Sequence, residues 1–208
     1  MLEHLDWIYV NDAAVESETL VKARELSIEH GVEPITATIG AQYAIAAAST
    51  NAQNIIEIGT GFGVSGLWLL SGAPNAVLTS IDDEYDHHEQ SKPLFIEAGY
   101  PANRVRLITG RAADVLPRMN ENTYDVAVVD GDPNQLLFNV EHALRLVRVG
   151  GIVLIPHALW NGEVAEPAKR GSVPSALRAI MKNATDDENQ VWSLASIGDG
   201  LLQIVKTA

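Results

Sequence analysis

Three glycines alternate with other residues at Gly59, Gly61 and Gly63, directly after the apolar run Asn54–Ile58. That β-branched run has the length of one buried strand, and an apolar helical pattern resumes at Val64. Glycines between a strand and a helix let the backbone approach a ligand closely, and the start of a helix offers free N–H groups. The pattern therefore predicts a strand, a turn and a helix that form a nucleotide-type cofactor site.

Two carboxylates accompany these glycines. Glu57 lies within the predicted strand, where a buried carboxylate needs a partner such as a cationic ligand group. Asp82 ends the next apolar run, Ala76–Ile81, and an acid at the end of a second strand can bind ribose hydroxyls. The segment Gly61–Gly66 also fits the dinucleotide fingerprint G-x-G-x-x-G, so an NAD site is an alternative to a site for a cationic cofactor.

Composition limits the classes of partner. The 208 residues include 14 basic and 27 acidic side chains, for a formal net charge of −13. This balance opposes binding to nucleic acid or to an anionic membrane, and it disfavours a polyphosphorylated acceptor such as a coenzyme A thioester. The chain contains no cysteine, which excludes disulfides and thiolate zinc sites. With no signal-peptide pattern and no membrane-length apolar run, we expect a cytoplasmic protein.

The order of elements predicts the fold class. Residues 1–12 show no clear pattern, and amphipathic or small-residue helices are expected at about 17–30 and 39–49. Five strands then alternate with helices, and two further strands close the chain as a hairpin. We therefore predict an α/β fold, with a doubly wound, mainly parallel, seven-stranded sheet that ends in an antiparallel hairpin. Residues 1–208 would form a single domain, with the helices of 1–50 as a cap over the cofactor or a dimer element. The strands are predicted at 54–58, 76–82, 104–109, 124–130, 150–155, 191–197 and 201–206.

Several short segments together resemble one family. The chain is similar to the O-methyltransferases that include the catechol and caffeoyl-CoA O-methyltransferases, and most similar to their small bacterial members, over about residues 17–206. This resemblance implies a Rossmann-like fold, S-adenosyl-L-methionine (SAM) as the cofactor and a homodimer. The segments that carry it are Glu57–Ser65, Ile81–Asp82, Gly110–Ala113, Tyr124–Asp132, Leu159–Gly162 and Ile197–Gly200.

The resemblance also implies which residues bind the cofactor. The glycine segment would hold the methionine end, acids after the second strand would bind the ribose, and the turn after the third strand would face the adenine. Asp130 would lie under the sulfonium, and a segment before the second helix would cover the cofactor. The implied cofactor residues are Ile35, Glu57, Gly59, Thr60, Gly61, Gly63, Ser65, Asp82, Asp83, Arg111, Ala112 and Asp130.

The catalytic half departs from the family pattern. Members of the family hold a divalent metal with an Asp after the fourth strand and an Asp-Asn pair after the fifth, beside a Lys. Here Asp130 keeps the first position, but Pro156 and His157 replace the pair and Pro133 replaces the Lys. Proline has no side-chain ligand atom, so we expect no catalytic metal. A softer metal on Asp130, His157 and Asp132, or a hard cation bound through waters, are the alternatives.

Without the metal, another group must accept the proton of the acceptor hydroxyl. His157 is the one titratable residue at that place with a suitable unperturbed pKa, so His157 and Asp130 are the predicted catalytic residues. A structural histidine that caps the fifth strand is the alternative for His157. The family places a Trp beside its aromatic substrate, which predicts an acceptor site formed by Trp160, Asn161 and Asp132.

Three functions are therefore compared. The first is a SAM-dependent O-methyltransferase that acts on a small, hydroxylated and aromatic acceptor without the usual metal. The second is a SAM-binding protein that has lost catalysis, because the metal ligands and the Lys are missing. The third is an NAD-dependent oxidoreductase, which rests on the G-x-G-x-x-G fit alone.

Overall fold

A seven-stranded sheet forms the centre of the molecule, with the strand order β3-β2-β1-β4-β5-β7-β6. The computed structural model describes the backbone of residues 2–208 and the side chains of Asp6 and of residues 8–208. The first five strands are parallel to one another, whereas β7 is antiparallel to both β5 and β6. The predicted fold class is confirmed. The strands are β1 (Asn54–Ile58), β2 (Val77–Asp82), β3 (Val105–Thr109), β4 (Tyr124–Val129), β5 (Val147–Ile155), β6 (Gln190–Ala195) and β7 (Leu201–Lys206).

Helices cover both faces of the sheet. The N-terminal segment, which shows no clear pattern in the sequence, is helical from Leu2 to Ala13. The fifth strand also begins three residues before the predicted Gly150, because the chain passes directly from helix to strand at Val147. The helices are α1 (Leu2–Ala13), α2 (Glu18–Glu29), α3 (Ala37–Ser49), α4 (Val64–Gly72), α5 (Tyr85–Glu97), α6 (Ala112–Val115), α7 (Leu136–Leu146) and α8 (Ser172–Asp186).

The two faces of the sheet pack two separate apolar cores. One core joins the sheet to α2, α3, α4 and α5, and the other joins it to α7 and α8. Side chains of a strand alternate between the faces, so Ile55 enters the first core while Ile56 and Ile58 enter the second. Glu57 therefore points to the same face as Ile55, towards the small-residue helix α3. No helix within residues 2–208 is both long and apolar enough to cross a membrane.

The parallel strands place the predicted site residues at one edge of the sheet. The carboxyl ends of β1, β2, β4 and β5 lie side by side, since these strands are adjacent and point the same way. The glycine segment follows β1, Asp82 ends β2, Asp130 follows β4, and Pro156 follows β5. Ligands of open α/β sheets bind at this edge, so the topology brings together residues that are 100 positions apart in the chain.

Candidate active site

A cavity of about 550 Å³ opens at the carboxyl ends of β1, β2 and β4. This volume lies within the range of roughly 300–1,000 Å³ that is usual for cofactor and small-molecule sites. Most of the predicted cofactor residues lie on its wall, and only Glu57 and Gly63 do not. Those on the wall are Ile35, Gly59, Thr60, Gly61, Ser65, Asp82, Asp83, Arg111, Ala112 and Asp130.

The three alternating glycines all have left-handed backbones but serve different purposes. A Cβ on Gly59 would lie 2.2 Å from the backbone oxygen of Asp130, so only glycine lets these two loops approach. A Cβ on Gly61 would find Val32 no nearer than 3.6 Å, which leaves this position open to a ligand. Gly63 faces the ring of Phe95 at 3.2 Å instead, so its role is the packing of α4 rather than ligand contact.

Asp82 holds the glycine segment in place. Its Oδ2 accepts hydrogen bonds from the backbone N–H groups of Thr60 (2.8 Å) and Gly61 (3.0 Å), and its Oδ1 accepts one from Glu84 N–H (3.0 Å). His87 Nδ1 also lies 3.0 Å from Oδ1, so protein groups surround both oxygens of this carboxylate. The neighbouring Asp83 is exposed on the cavity wall with both oxygens available to a ribose.

Glu57 lies behind the glycine segment and is completely buried. Ser80 Oγ donates to its Oε2 at 2.5 Å, whereas Oε1 has no hydrogen-bond partner among the described residues. Burial raises the pKa of Glu57 to about 8, and the hydroxyls of Ser65 and Ser80 oppose this rise. Asp130 and Asp82 raise the pKa further through charge repulsion. The side chain is therefore mostly neutral at pH 7 in the ligand-free protein.

A continuous chain of hydrogen bonds extends from Glu57 beneath the glycine segment. Ser80 Oγ lies 2.7 Å from Thr60 Oγ1, which lies 3.0 Å from His88 Nε2, and His88 Nδ1 lies 2.8 Å from Thr109 Oγ1. Burial lowers the pKa of His88, so the imidazole in this chain is neutral at pH 7. Sequence reasoning missed His88, because a histidine on a polar helix has the same pattern as a solvated one.

Asp130 lines the cavity, and 28% of its side chain is accessible. Burial raises its pKa to about 6, His157 lowers the pKa and Glu33 raises it. The nearest cationic candidate is His157, whose Nε2 lies 3.9 Å from Asp130 Oδ1. Asp130 is thus a carboxylate that a ligand cation would stabilise.

A second cavity of about 270 Å³ adjoins the first and shares Asp130, Gly131, Pro133 and Glu33 with it. Its wall includes His157, Trp160 and Asn161 of the predicted catalytic and acceptor residues, and apolar side chains from α7 and α8 that the sequence did not single out. Asp132 lies on the larger cavity instead, and its carboxylate accepts hydrogen bonds from Asn134 N and Nδ2. The missed residues are Glu33, Leu136, Val173, Leu177 and Asp199.

The family's metal site does not fit the donor atoms of this chain. Pro156 and Pro133 supply no side-chain ligand, which leaves Asp130 and His157 with their nearest atoms 3.9 Å apart. Among the side chains that the structure describes, no three His, Cys, Asp or Glu residues could share one ion. The alternative of a softer metal on Asp130, His157 and Asp132 is therefore not supported, because Asp132 does not join the other two.

Comparison with known proteins identifies the family. A family model described as O-methyltransferase matches residues 11–207. The chain belongs to the O-methyltransferase family. A predicted O-methyltransferase of Mycobacterium marinum is 37% identical over 197 residues, which cover 94% of this chain and 88% of the relative.

Solved structures support the same family. A protein of Corynebacterium glutamicum is 29% identical with a TM-score of 0.90, over 100% of this chain and 97% of that one. The O-methyltransferase TomG of Streptomyces achromogenes, solved with SAM, is 26% identical with a TM-score of 0.86 over the full length of both chains. Family and fold are thus confirmed, and the oxidoreductase alternative is not favoured.

Proposed function

We propose that this O-methyltransferase moves the methyl group of SAM to a hydroxyl of a small, aromatic acceptor without a catalytic divalent metal. The supporting observation is that a cavity of cofactor size and a smaller cavity with both polar and apolar lining meet at Asp130. Methyl transfer to oxygen is an in-line displacement, so a donor and an acceptor held on the two sides of one junction match its geometry.

The walls of the larger cavity offer matching groups for each part of SAM. Ser65 and the backbone of the glycine segment would bind the methionine end, and Asp82 with Asp83 would bind the ribose hydroxyls. The turn at Arg111 and Ala112 would face the adenine through its backbone, because the Arg111 side chain is exposed and paired with Asp114. The bound cofactor would supply a methyl group that the sulfonium charge activates. The Asp130 carboxylate would stabilise that positive charge.

His157 is proposed as the general base. As the acceptor oxygen forms its bond to the methyl carbon, the carbon–sulfur bond breaks and the hydroxyl proton moves to His157. Asp130, 3.9 Å from Nε2, stabilises the imidazolium that results. The products are the methyl ether, S-adenosylhomocysteine (SAH) and one proton, which His157 returns to solvent.

His157→Ala is expected to lower kcat by roughly 100-fold or more, because a positioned base contributes about 10²–10⁴ to the rate. The dissociation constant for SAM should stay within about twofold of the wild-type value. His157 lines only the smaller cavity, the proposed acceptor cavity, and not the larger one. SAH formation and calorimetry measure the two quantities. His142→Ala, on α7 and outside both cavities, is the matched control. Equal losses in turnover rate and in SAM affinity would contradict the assignment of His157 as the base. A wild-type protein that binds SAM but methylates no hydroxylated acceptor would favour the alternative of a SAM-binding protein that has lost catalysis.

Restoring the family's ligand pair should restore metal binding. Residue 157 has φ 55°, in the left-handed region that asparagine tolerates, so His157→Asn combined with Pro156→Asp fits the backbone at this position. We expect the double variant to bind Mg²⁺ with Asp130 at about millimolar affinity or better, as measured by calorimetry after EDTA treatment. His157→Asn alone is the control and should bind none. Equally tight Mg²⁺ binding by the wild type would contradict the metal-free proposal.

We also propose a homodimer formed through the N-terminal helices. Tyr9 on α1, Val15 after it and Ile45 on α3 are 76%, 84% and 57% exposed, and α1 packs against α3. Large apolar side chains exposed on neighbouring elements are typical of an interface between proteins. Sedimentation should give twice the 22.4 kDa chain mass, and Ile45→Glu should shift the protein towards that single mass. A wild-type mass of one chain would contradict this assembly.

A further inference from the structure

The loop that carries His157 and Trp160 has an unusual backbone. His157, Trp160 and Asn161 have φ values of 55°, 48° and 53°, so three of five successive residues are left-handed without being glycine. This region is unfavourable for most side chains with a Cβ; asparagine and histidine are enriched in it, whereas the bulky side chain of Trp160 is not favoured there. Contacts made by the backbone of the loop must therefore hold this conformation.

The turn between β6 and β7 supplies those contacts. Its backbone oxygens at Asp199 and Gly200 accept hydrogen bonds from Leu159 N–H (2.8 Å) and Ala158 N–H (3.1 Å). The Asp199 carboxylate accepts the N–H of Asn161 with both oxygens, at 2.9 and 3.0 Å. Hydrogen bonds to an ionised carboxylate are stronger than those between neutral groups, so Asp199 holds the loop at its left-handed residues.

The same turn contacts the segment that covers the cofactor cavity. A Cβ on Gly198 would lie 2.7 Å from Ile39 and 3.2 Å from Thr36 Oγ1, at the start of α3 and next to Ile35. Gly200 approaches Leu159 so closely that a Cβ there would lie 2.6 Å from its side chain. The turn thus packs between the start of α3 and the loop that carries His157 and Trp160. It cannot move without disturbing one of these two segments.

We propose that Asp199 is a positioning residue for methyl transfer, because its two hydrogen bonds to Asn161 N–H fix His157 and Trp160 on the wall of the acceptor cavity. Asp199 is also one of the residues that line that cavity, and both of its carboxylate oxygens accept the Asn161 N–H. The kinetic part of this inference rests on the proposed function. The structural part, that Asp199 holds the loop, can be tested without any acceptor.

Amide hydrogen exchange on the SAH-bound protein tests the structural part. In Asp199→Ala we expect the Asn161 amide to exchange at least 10-fold faster than in wild type, with a smaller change in Asp199→Asn, which keeps one acceptor oxygen. Asp187→Asn is the matched control, since Asp187 also accepts a backbone N–H, from Asn189 at 2.9 Å, in a turn before β6. Unchanged exchange at Asn161 in Asp199→Ala, or the same increase in Asp187→Asn, would overturn the proposal.

Steady-state kinetics test the positioning part. We expect the KM of Asp199→Ala for the acceptor to rise at least 10-fold, while the dissociation constant for SAH stays within twofold. Asp199→Asn should recover part of the KM loss. An equal weakening of acceptor and SAH would show a general effect on the fold and would overturn positioning. If the wild type transfers no methyl group, the proposed function fails, and the exchange result alone then decides whether Asp199 holds the loop.

Discussion

Glu57→Gln should match the free wild-type protein in stability near pH 4 and exceed it by about 5 kcal/mol at pH 9. The pKa of Glu57 is raised from 4.5 to about 8 in the folded protein, mainly by burial. Its neutral form therefore stabilises the fold at low pH, and this contribution is lost as the pH rises from the unfolded pKa through the folded one. Glutamine resembles the neutral acid and does not ionise, so the variant lacks this loss.

Urea denaturation at several pH values measures the difference in the free energy of unfolding. Glu188→Gln is the control, because this substitution removes the same charge from an exposed side chain and leaves the buried carboxyl of Glu57 unchanged. A difference between Glu57→Gln and wild type that does not change with pH would contradict a raised pKa. SAM titrations of the same variant address the predicted cofactor role of Glu57 separately, since its Oε1 has no hydrogen-bond partner among the described residues.

Gly59→Ala should destabilise the protein by about 3 kcal/mol or more and abolish measurable SAM binding. Its φ is 95°, and the added methyl group would lie 2.2 Å from the Asp130 backbone oxygen, so the loops after β1 and β4 must separate. Gly61→Ala is the matched variant, because its φ is 47° and the nearest atom is 3.6 Å away. It should show only left-handed strain, about 1–2 kcal/mol.

Thermal or urea unfolding of the two variants measures the difference directly. If Gly59→Ala and Gly61→Ala lose equal stability, backbone strain alone would explain both and the close approach to Asp130 would have no energetic effect. If Gly59→Ala binds SAM as wild type does, the junction of the two cavities does not depend on that approach.

The fold was predictable because local patterns determine it. Each of the features that define the fold can be recognised from residues that are close together in the chain. These features are the alternating strands and helices, the glycine segment, the acid that ends β2 and the acid that follows β4. The beginning of β5 at Val147 could not be predicted from the sequence. The chain passes from α7 into β5 without a turn residue, so the apolar residues of the two elements form one continuous pattern.

Parts of the site depend on contacts that sequence spacing does not show. Gly63 matches the glycine pattern but packs on Phe95, and Asp132 matches an acceptor position but caps the turn with Asn134. Glu33 reaches both cavities because the chain before α3 folds over the sheet edge. The sequence placed Asp199 in a family segment but could not predict its contact with Asn161, because the two residues are 38 positions apart.

The hydrogen-bond chain beneath the glycine segment has a direction. Each hydroxyl in it gives one proton and accepts one, so the proton on Glu57 sets the sense of every bond as far as Thr109. Ser80 Oγ donates to Glu57 Oε2, so Thr60 Oγ1 donates to Ser80 and Nε2 of His88 donates to Thr60, which places the imidazole proton on Nε2. A proton on Oε2 of Glu57 would reverse the chain and move the imidazole proton to Nδ1. The tautomer of His88, readable from its ¹⁵N chemical shifts, therefore records whether Oε2 of a carboxyl that the ring does not touch carries a proton.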